Sequence, residues 1–300
     1  MTSILLALLA TTSNIQAQGP LAYTGIPAFS YTANYDLPPL QNCADEQFQN
    51  ELEVAIANNR TWKKLAADKK LAIGLVDLSD MSNIRFAEIN GNQMMYAASL
   101  PKIAILLTAM DALESGELKD TPEVRKDMRL MISKSNNQAS TRMIDRLGYE
   151  KIEEVLTSSR YKLYDKAKGG GLWVGKRYAA SGKKNPDPLK GLSHAATALQ
   201  ISRFYYLMLQ GELVCRERSQ EMMECMVDPQ LHHKFVNTLN KIAPDAKLFR
   251  KSGSWSTFHS DSIMVWGPDR QYILTALVND SNGERIMRDL VYQIEKVLKG

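Results

Sequence analysis

The sequence predicts an α/β protein with one antiparallel five-stranded sheet, flanked by terminal helices and carrying an inserted all-helical domain. Two strand-like segments lie early in the chain, three lie late, and most of the chain between them has helical periodicity. A sheet and helices bury their apolar faces by packing against each other. We therefore expect the early and late strands to form one sheet on which the helices pack. Residues 45–95 and 245–300 then make the sheet domain, and residues 96–244 make the helical domain.

The first elements follow from simple patterns. Residues 45–67 carry apolar side chains at helical intervals, so we expect a helix there. Residues 71–77 are a mostly apolar run of strand length, and residues 84–89 alternate between apolar and polar side chains. An Asn-Gly-Asn turn at residues 90–92 closes the second segment, so the two segments are expected to form a hairpin.

The middle of the chain is predicted to be helical and then irregular. Residues 99–110 are apolar nearly all round, which indicates a buried helix. A threonine, a proline and a glutamate at residues 121–123 have the order of a helix start, with an N-cap, a first-position proline and an acidic first turn. Residues 160–192 contain glycine and proline clusters, and a loop of that length in a compact domain is usually functional or mobile.

The last part of the chain returns from helices to strands. The remaining predicted elements, in chain order, are helices near residues 195–209, 219–226 and 232–242, strands at 246–255, 262–266 and 272–278, and a closing helix at 284–299.

Composition excludes several classes of protein. The hydrophobic fraction of 44% is ordinary for a globular protein, and the formal net charge of +4 is too small to indicate nucleic-acid binding. After the N-terminal region no apolar run is long enough to span a bilayer, so we expect no integral membrane segment in the mature chain. Nothing in the composition indicates the oligomeric state.

Residues 1–17 have the features of a secretory signal peptide. A short apolar core at residues 4–10 is followed by small and polar residues up to Ala17, where cleavage is expected. No basic residue precedes the core, so a disordered or mis-started N-terminus is the alternative. The signal predicts a secreted or periplasmic protein in which residues 18–44 form a leader segment.

The cysteines and histidines do not form a metal-binding pattern. Cys43, Cys215 and Cys225 are an odd number, so at most one intrachain disulfide can form, and its pairing is open. His232 and His233 are adjacent and would point in different directions on a helix, so we interpret them as surface or packing residues. We therefore expect neither a metal nor a cofactor.

One stretch of the chain is strongly basic. Residues 159–195 contain nine basic side chains against two acidic ones. The stretch is either a solvated basic loop or an anion-attracting rim beside a pocket.

Ser99 and Lys102 lie at the start of the predicted buried helix. Residues three apart share a helix face, so the hydroxyl and the amine could come within hydrogen-bond reach. A serine nucleophile needs such a base, and a lysine can serve when burial lowers its pKa. The same Ser-x-x-Lys spacing recurs in predicted loops at residues 159–162 and 181–184. Secondary structure and further polar motifs must therefore show which of the three pairs is catalytic.

Two further motifs single out the first pair. Ser135 and Asn137 lie at the boundary between two helical patterns, where they offer a hydroxyl and an amide. Lys251, Ser252 and Gly253 lie in the first late strand, where the glycine permits close approach of another backbone. Each motif is ordinary alone, but the ordered set Ser-x-x-Lys, Ser-x-Asn and Lys-Ser/Thr-Gly predicts one catalytic site.

This set resembles that of the class A β-lactamases and penicillin-binding proteins, and the resemblance extends from about residue 71 to the C-terminus. It implies an acyl-transfer site with a serine nucleophile. The implied roles are nucleophile for Ser99, base for Lys102, proton relay for Ser135, substrate amide contact for Asn137, carboxylate binding for Lys251 and Ser252 beside Gly253, and an oxyanion hole from the N–H groups of Ser99 and Ser254.

The chain departs from the class A pattern in one important respect. Those enzymes carry a glutamate in the loop after Ser-x-Asn that activates the deacylating water, and here no glutamate occurs between residues 155 and 211. In its place the loop has a Gly-Gly-Gly-Leu-Trp segment, whose Trp173 either walls the substrate pocket or pins the loop to the core. The alternative groups for deacylation are Asp165, Asp187, His194, Lys102 itself and, from a strand end, His259.

The sequence thus predicts a serine hydrolase that forms an acyl-Ser99 intermediate with a β-lactam or a related amide or ester. Its partner would be a small β-lactam or a peptidoglycan-derived substrate. Two alternatives remain: a D,D-peptidase that acts on peptidoglycan peptides, and a non-catalytic cell-wall-binding protein with the same fold.

Overall fold

The computed structural model describes residue 35 and residues 37–299. The predicted signal peptide, residues 1–17, lies outside the described residues, as does most of the predicted leader segment.

The described chain begins with a 3₁₀ turn at Leu40–Cys43 and continues with ten α-helices and ten strands. The helices are α1 (Glu46–Ala57), α2 (Arg60–Ala67), α3 (Lys102–Glu114), α4 (Pro122–Ser133), α5 (Asn137–Leu147), α6 (Tyr149–Thr157), α7 (Ala198–Gln210), α8 (Arg216–Met226), α9 (Phe235–Ile242) and α10 (Gly283–Val297). The strands are β1 (Leu71–Asp77), β2 (Arg85–Ile89), β3 (Met95–Tyr96), β4 (Tyr164–Asp165), β5 (Gly170–Gly171), β6 (Trp173–Val174), β7 (His194–Ala196), β8 (Lys247–Trp255), β9 (Phe258–Gly267) and β10 (Arg270–Asn279).

The main sheet joins both ends of the chain, as predicted. Its five strands run in the order β2-β1-β10-β9-β8, and every neighbouring pair is antiparallel. All seven residues of β1 are buried because both faces of the sheet are covered, which explains why this strand is an apolar run in the sequence. Three short strands, β3, β7 and β6, form a second sheet beside Ser99.

Two hydrophobic cores lie on opposite faces of the sheet. One contains side chains of α3 to α8, including Leu106 and Phe204, packed on Phe249 of β8. The other contains side chains of α1, α2, α9 and α10, including Phe48 and Phe235. Helix α9 therefore packs with the terminal helices, although the sequence analysis assigned it to the helical domain. The rest of the predicted domain division stays a prediction.

Local signals explain where helices begin. Thr121 caps α4 by accepting a hydrogen bond from the Val124 N–H at 3.3 Å, as its sequence context predicted. The single helix expected over residues 45–67 is instead two helices. The Asn59 side chain accepts from the N–H groups of residues 61 and 62, at 3.0 and 3.2 Å, and so starts α2.

The long loop of residues 160–192 is organised by buried polar groups. Asp187 is buried, and its carboxylate accepts hydrogen bonds from the Tyr164 hydroxyl and from the N–H groups of residues 189, 190 and 192. The Trp173 indole donates to the Asn185 carbonyl at 2.7 Å and packs against the Tyr164 ring. The loop thus contains short strands and a buried centre of its own.

Three other features of the described chain bear on the predictions. Cys43, Cys215 and Cys225 are free thiols. Within residues 37–299 there is no helix with the length and apolar character needed to cross a bilayer. The same residues contain no cluster of three or more histidine, cysteine or carboxylate side chains suited to a metal ion.

Candidate active site

A cleft of about 760 Å³ lies beside Ser99, where the loop, the β8–β9 hairpin and the start of α5 meet. Ser99 is half-buried in the turn between β3 and α3. The residues that line the cleft with it are Tyr96, Ala98 and Asn137, the loop segment Lys176–Ala180, Leu192, Ser193 and His194, and Ser254, Trp255 and Phe258 of the hairpin.

The backbone around Ser99 is held against strand β8. A Cβ atom at Gly253 would lie 2.4 Å from both the Ala97 carbonyl oxygen and the Ser99 nitrogen, so only glycine permits this contact. Ser254 follows Gly253 and also lines the cleft. In the described chain the Ser99 N–H donates to no other backbone group. The predicted oxyanion-hole residues, Ser99 and Ser254, therefore lie on the same wall of the cleft.

Lys102 is fully buried at the first position of α3. Its ammonium donates to the Ser135 carbonyl at 2.7 Å and to the Asn137 side-chain oxygen at 2.8 Å, and lies 3.4 Å from the Ser135 hydroxyl. Burial lowers the pKa of Lys102 to about 7. Among the described residues no hydrogen bond joins Lys102 to the Ser99 hydroxyl, because α3 begins only at Lys102 and the ammonium is turned toward α5.

Lys251 approaches the same serine from the sheet. Its buried ammonium donates to the Ser135 hydroxyl at 2.8 Å and to the Ser252 carbonyl at 2.6 Å. Burial and the nearby charge of Lys102 hold the pKa of Lys251 well below its usual value. The Ser135 hydroxyl therefore accepts from two lysines, which leaves its own hydrogen available for a third group.

Sequence reasoning missed His233, which reaches the Lys-Ser-Gly strand. Its Nε2 lies 3.2 Å from the Ser252 hydroxyl, and burial together with the charge of Arg250 lowers the pKa of His233 to about 4. His232, in contrast, is exposed, as the sequence analysis expected. The only signal for His233 in the sequence was the histidine pair itself, which does not show which ring faces the sheet.

A buried ion pair behind this strand also escaped prediction. Arg250 binds Asp261 through two contacts of 2.7 and 2.8 Å, and it donates to the Leu231 carbonyl at 2.9 Å. Asp261 in turn accepts from the Phe235 N–H at 3.2 Å. The pair ties the chain that carries His233 to β8 and β9.

Lys234 adds a further buried cation. Its ammonium donates to the carbonyl oxygens of Gly253 and Ser260, and burial lowers the pKa of Lys234 to about 8. Lys234 thus lies near the buried Asp261 carboxylate, to which Arg250 bonds directly.

Tyr178 is another residue of the site that could not be identified from the sequence. The Lys102 ammonium lies 4.3 Å from the centre of its ring, and the hydroxyl donates to the Ala98 carbonyl at 3.2 Å. The other face of the ring packs on His194, with 4.3 Å between ring centres. A lone tyrosine in a long loop carries no sequence signal for this position.

His194 is the one histidine among the predicted alternative bases that lines the cleft. Its Nε2 lies 3.0 Å from the Lys176 carbonyl and therefore carries the hydrogen, so Nδ1 accepts from the Ser193 hydroxyl at 3.3 Å. Burial lowers the pKa of His194 to about 4. Both ring nitrogens of this neutral side chain are engaged within the loop.

The other predicted candidates lie elsewhere. Asp187 organises the loop, and Asp165 accepts from the Ala167 N–H at 2.9 Å. His259 lies in β9, against Gly283. Trp173 is 2% exposed inside the loop. None of these four described residues lines the cleft, and Trp173 takes the second of its two predicted roles, that of pinning the loop.

Comparison with known proteins gives the family. A family model described as the beta-lactamase enzyme family matches residues 55–128 and 119–298. Comparison with curated proteins gives no match.

Solved structures share the fold. A beta-lactamase from Sphaerobacter thermophilus is 16% identical, with 83% of this chain and 95% of that chain covered and a TM-score of 0.61. One from Xanthomonas campestris is 14% identical, with 84% and 98% covered and a TM-score of 0.64. A variant of PBP-A, in an acyl-enzyme complex with penicillin G, is 19% identical, with 88% and 99% covered and a TM-score of 0.62.

The five-stranded sheet, the inserted helices and the matched family model define a serine acyl-transfer hydrolase of β-lactamase-like architecture. The chain belongs to the beta-lactamase enzyme family. The resemblance found in the sequence is thereby confirmed, together with the predicted fold class.

Proposed function

We propose that the protein forms an acyl-enzyme on Ser99 with a β-lactam or a related amide. The observation that carries this proposal is the hydrogen-bonded set Lys102–Ser135–Lys251, which is joined through Asn137 to the cleft that Ser99 lines. A serine hydroxyl becomes nucleophilic when a neighbouring base takes its proton. Lys102, with its pKa lowered to about 7, can be that base near neutral pH.

The proposed steps use these side chains in turn. The Ser99 oxygen attacks the carbonyl carbon of the substrate as neutral Lys102 takes the hydroxyl proton. The N–H groups of Ser99 and Ser254 stabilise the negative oxygen that develops. The carbon–nitrogen bond then breaks, the Ser135 hydroxyl gives its proton to the leaving nitrogen, and the protonated Lys102, 3.4 Å from that hydroxyl, returns a proton to the Ser135 oxygen. Lys251, beside Ser135, acts together with Ser252 to bind a substrate carboxylate and to neutralise its negative charge.

Penicillin is a suitable first substrate because a PBP-A variant of the same fold has been captured in an acyl-enzyme complex with penicillin G. A D,D-peptidase of peptidoglycan peptides is the second candidate, favoured by the lack of a glutamate anywhere in residues 155–211. Both activities begin with acylation of Ser99, and they differ in whether water or an amine later takes the acyl group. A cell-wall-binding protein without turnover is the third candidate.

Ser99→Ala should abolish covalent labelling by a fluorescent penicillin, because the acylated oxygen is removed. Intact-protein mass spectrometry should show one adduct on the wild-type protein and none on this variant. Ser181→Ala is the matched control, since Ser181 has the same spacing to a lysine but is exposed in the loop, and it should label normally. Labelling of Ser99→Ala, or failure of the wild-type protein to label, would contradict the proposal for this class of substrate.

The rate of acylation should rise with pH through about 7, because only neutral Lys102 can accept a proton and its pKa is about 7. Below that pH the neutral fraction falls about tenfold per pH unit, and above it the rate should level off. His194 and His233 have a pKa of about 4 and stay neutral across this range. The second-order rate constant of acylation at low penicillin concentration, between about pH 5 and 8.5, measures the profile of the free protein. A flat profile would contradict the role of Lys102 as base.

A further inference from the structure

The Tyr178 ring occupies one side of the catalytic pair. It lies on the Lys102 ammonium, its hydroxyl is anchored on the carbonyl of Ala98, and it packs on His194. Ala98 immediately precedes Ser99, and both residues line the cleft with Tyr178. Three independent contacts therefore hold an aromatic ring beside the nucleophile and its base.

The other sides of this pair are already occupied. The Lys102 ammonium bonds to Ser135 and Asn137 toward α5, and the backbone of Gly253 packs against the Ser99 nitrogen from the sheet. The open mouth of the cleft is the side from which substrate enters, so an acyl group on Ser99 would cover it. The remaining direction from which water could approach the ester on Ser99 is the side that the Tyr178 ring occupies.

Building on the proposed acyl-Ser99 intermediate, we propose that Tyr178 is a positioning residue that sets the lifetime of that intermediate by excluding water. In hydrolysis, a water oxygen bonds to the acyl carbon, the bond from that carbon to the Ser99 oxygen breaks, and the Ser99 oxygen regains a proton. The Tyr178 ring fills the space that this water needs.

Tyr178 does not act as a base for that water. Burial raises the pKa of its hydroxyl well above the usual value, so the hydroxyl is protonated at neutral pH, and its hydrogen is donated to Ala98. His194, behind the ring, is neutral, and its two nitrogens are engaged with Lys176 and Ser193. Removal of the ring would therefore open a space beside the Lys102 amine, which can take a proton when neutral.

The test compares the decay of the penicillin adduct in Tyr178→Ala, Tyr178→Phe and wild-type proteins after excess label is removed. We expect Tyr178→Ala to shorten the adduct lifetime by about tenfold or more, the effect of ~1.4 kcal/mol on the barrier. Tyr178→Phe keeps the ring and should retain a lifetime within about threefold of wild type. Tyr164→Ala is the control, because it removes a buried loop tyrosine that packs on Trp173 and lies outside the Ser99 cleft.

The outcomes separate this inference from the proposed function. No adduct on the wild-type protein overturns both. An adduct whose lifetime is unchanged in Tyr178→Ala overturns the water-exclusion role alone, as does equal shortening by Tyr164→Ala, which would indicate general loosening of the loop. Thermal unfolding checks that each variant is folded, and Tyr178→Leu tests the same opening if Tyr178→Ala does not fold.

Discussion

Lys102→Met should slow acylation of Ser99 by about 10²- to 10⁴-fold, the usual contribution of a general base. Methionine preserves an unbranched apolar side chain in the buried start of α3 but has no amine. The acceptors that Lys102 now serves, the Ser135 carbonyl and the Asn137 side-chain oxygen, would lose a donor. The time course of fluorescent-penicillin labelling at about pH 8, where the wild-type lysine is mostly neutral, measures the effect.

Lys184→Met is the matched control for this prediction. Lys184 has the same spacing from Ser181 that Lys102 has from Ser99, but it is exposed in the loop. We expect this variant to label at the wild-type rate. If Lys102→Met is folded by thermal unfolding and still labels at the wild-type rate, then another group removes the Ser99 proton.

Arg250→Met should lower the free energy of unfolding by about 3–5 kcal/mol, because it leaves the buried Asp261 carboxylate without its cation. Arg250 and Asp261 are 2% and 0% exposed, so water cannot replace the lost partner. The substitution also removes the donor to the Leu231 carbonyl, near the start of α9. Urea unfolding of the wild-type and variant proteins measures the change.

Two further variants test the reason for this effect. Lys183→Met breaks the Lys183–Glu150 pair, whose side chains are 72% and 78% exposed, and should change the free energy of unfolding by less than about 1 kcal/mol. The double variant Arg250→Met, Asp261→Leu should recover part of the loss, since no unpaired charge then stays buried. A single Arg250→Met variant as stable as wild type would show that Asp261 is stabilised by its N–H donors alone.

Much of the fold could be predicted because the relevant signals are local. The apolar run of β1 and the N-cap at Thr121 each lie within a few residues, and the structure confirms both. The two errors have a similar cause. In each case the sequence allows two arrangements, either one helix or two, or packing of a helix on one face of the sheet or the other. Asn59 divides the first predicted helix by capping its second half. The buried side chains of α9 belong to the core formed by α1, α2 and α10 and not to the core of the inserted helices.

The candidate site, like the fold, could be predicted only in part. Ser99, Lys102, Ser135, Asn137 and Lys251 could be proposed because their types, spacing and order form a set. The structure joins the last four by hydrogen bonds, and Asn137 lines the same cleft as Ser99. Trp173 could not be placed, because a tryptophan in a loop fits a pocket wall and a buried anchor equally well until the fold is known.

The sequence by itself determined the family and the fold class and singled out the residues expected to form an acyl-enzyme, because motif order and hydrophobic periodicity are properties of the chain. Only the tertiary structure decided what surrounds those residues. It turned His233 toward Ser252, buried Arg250 with Asp261, and placed the Tyr178 ring on Lys102. These contacts join different elements of the fold, so their geometry and the lowered pKa of Lys102 depend on how the loop and the sheet pack around the cleft.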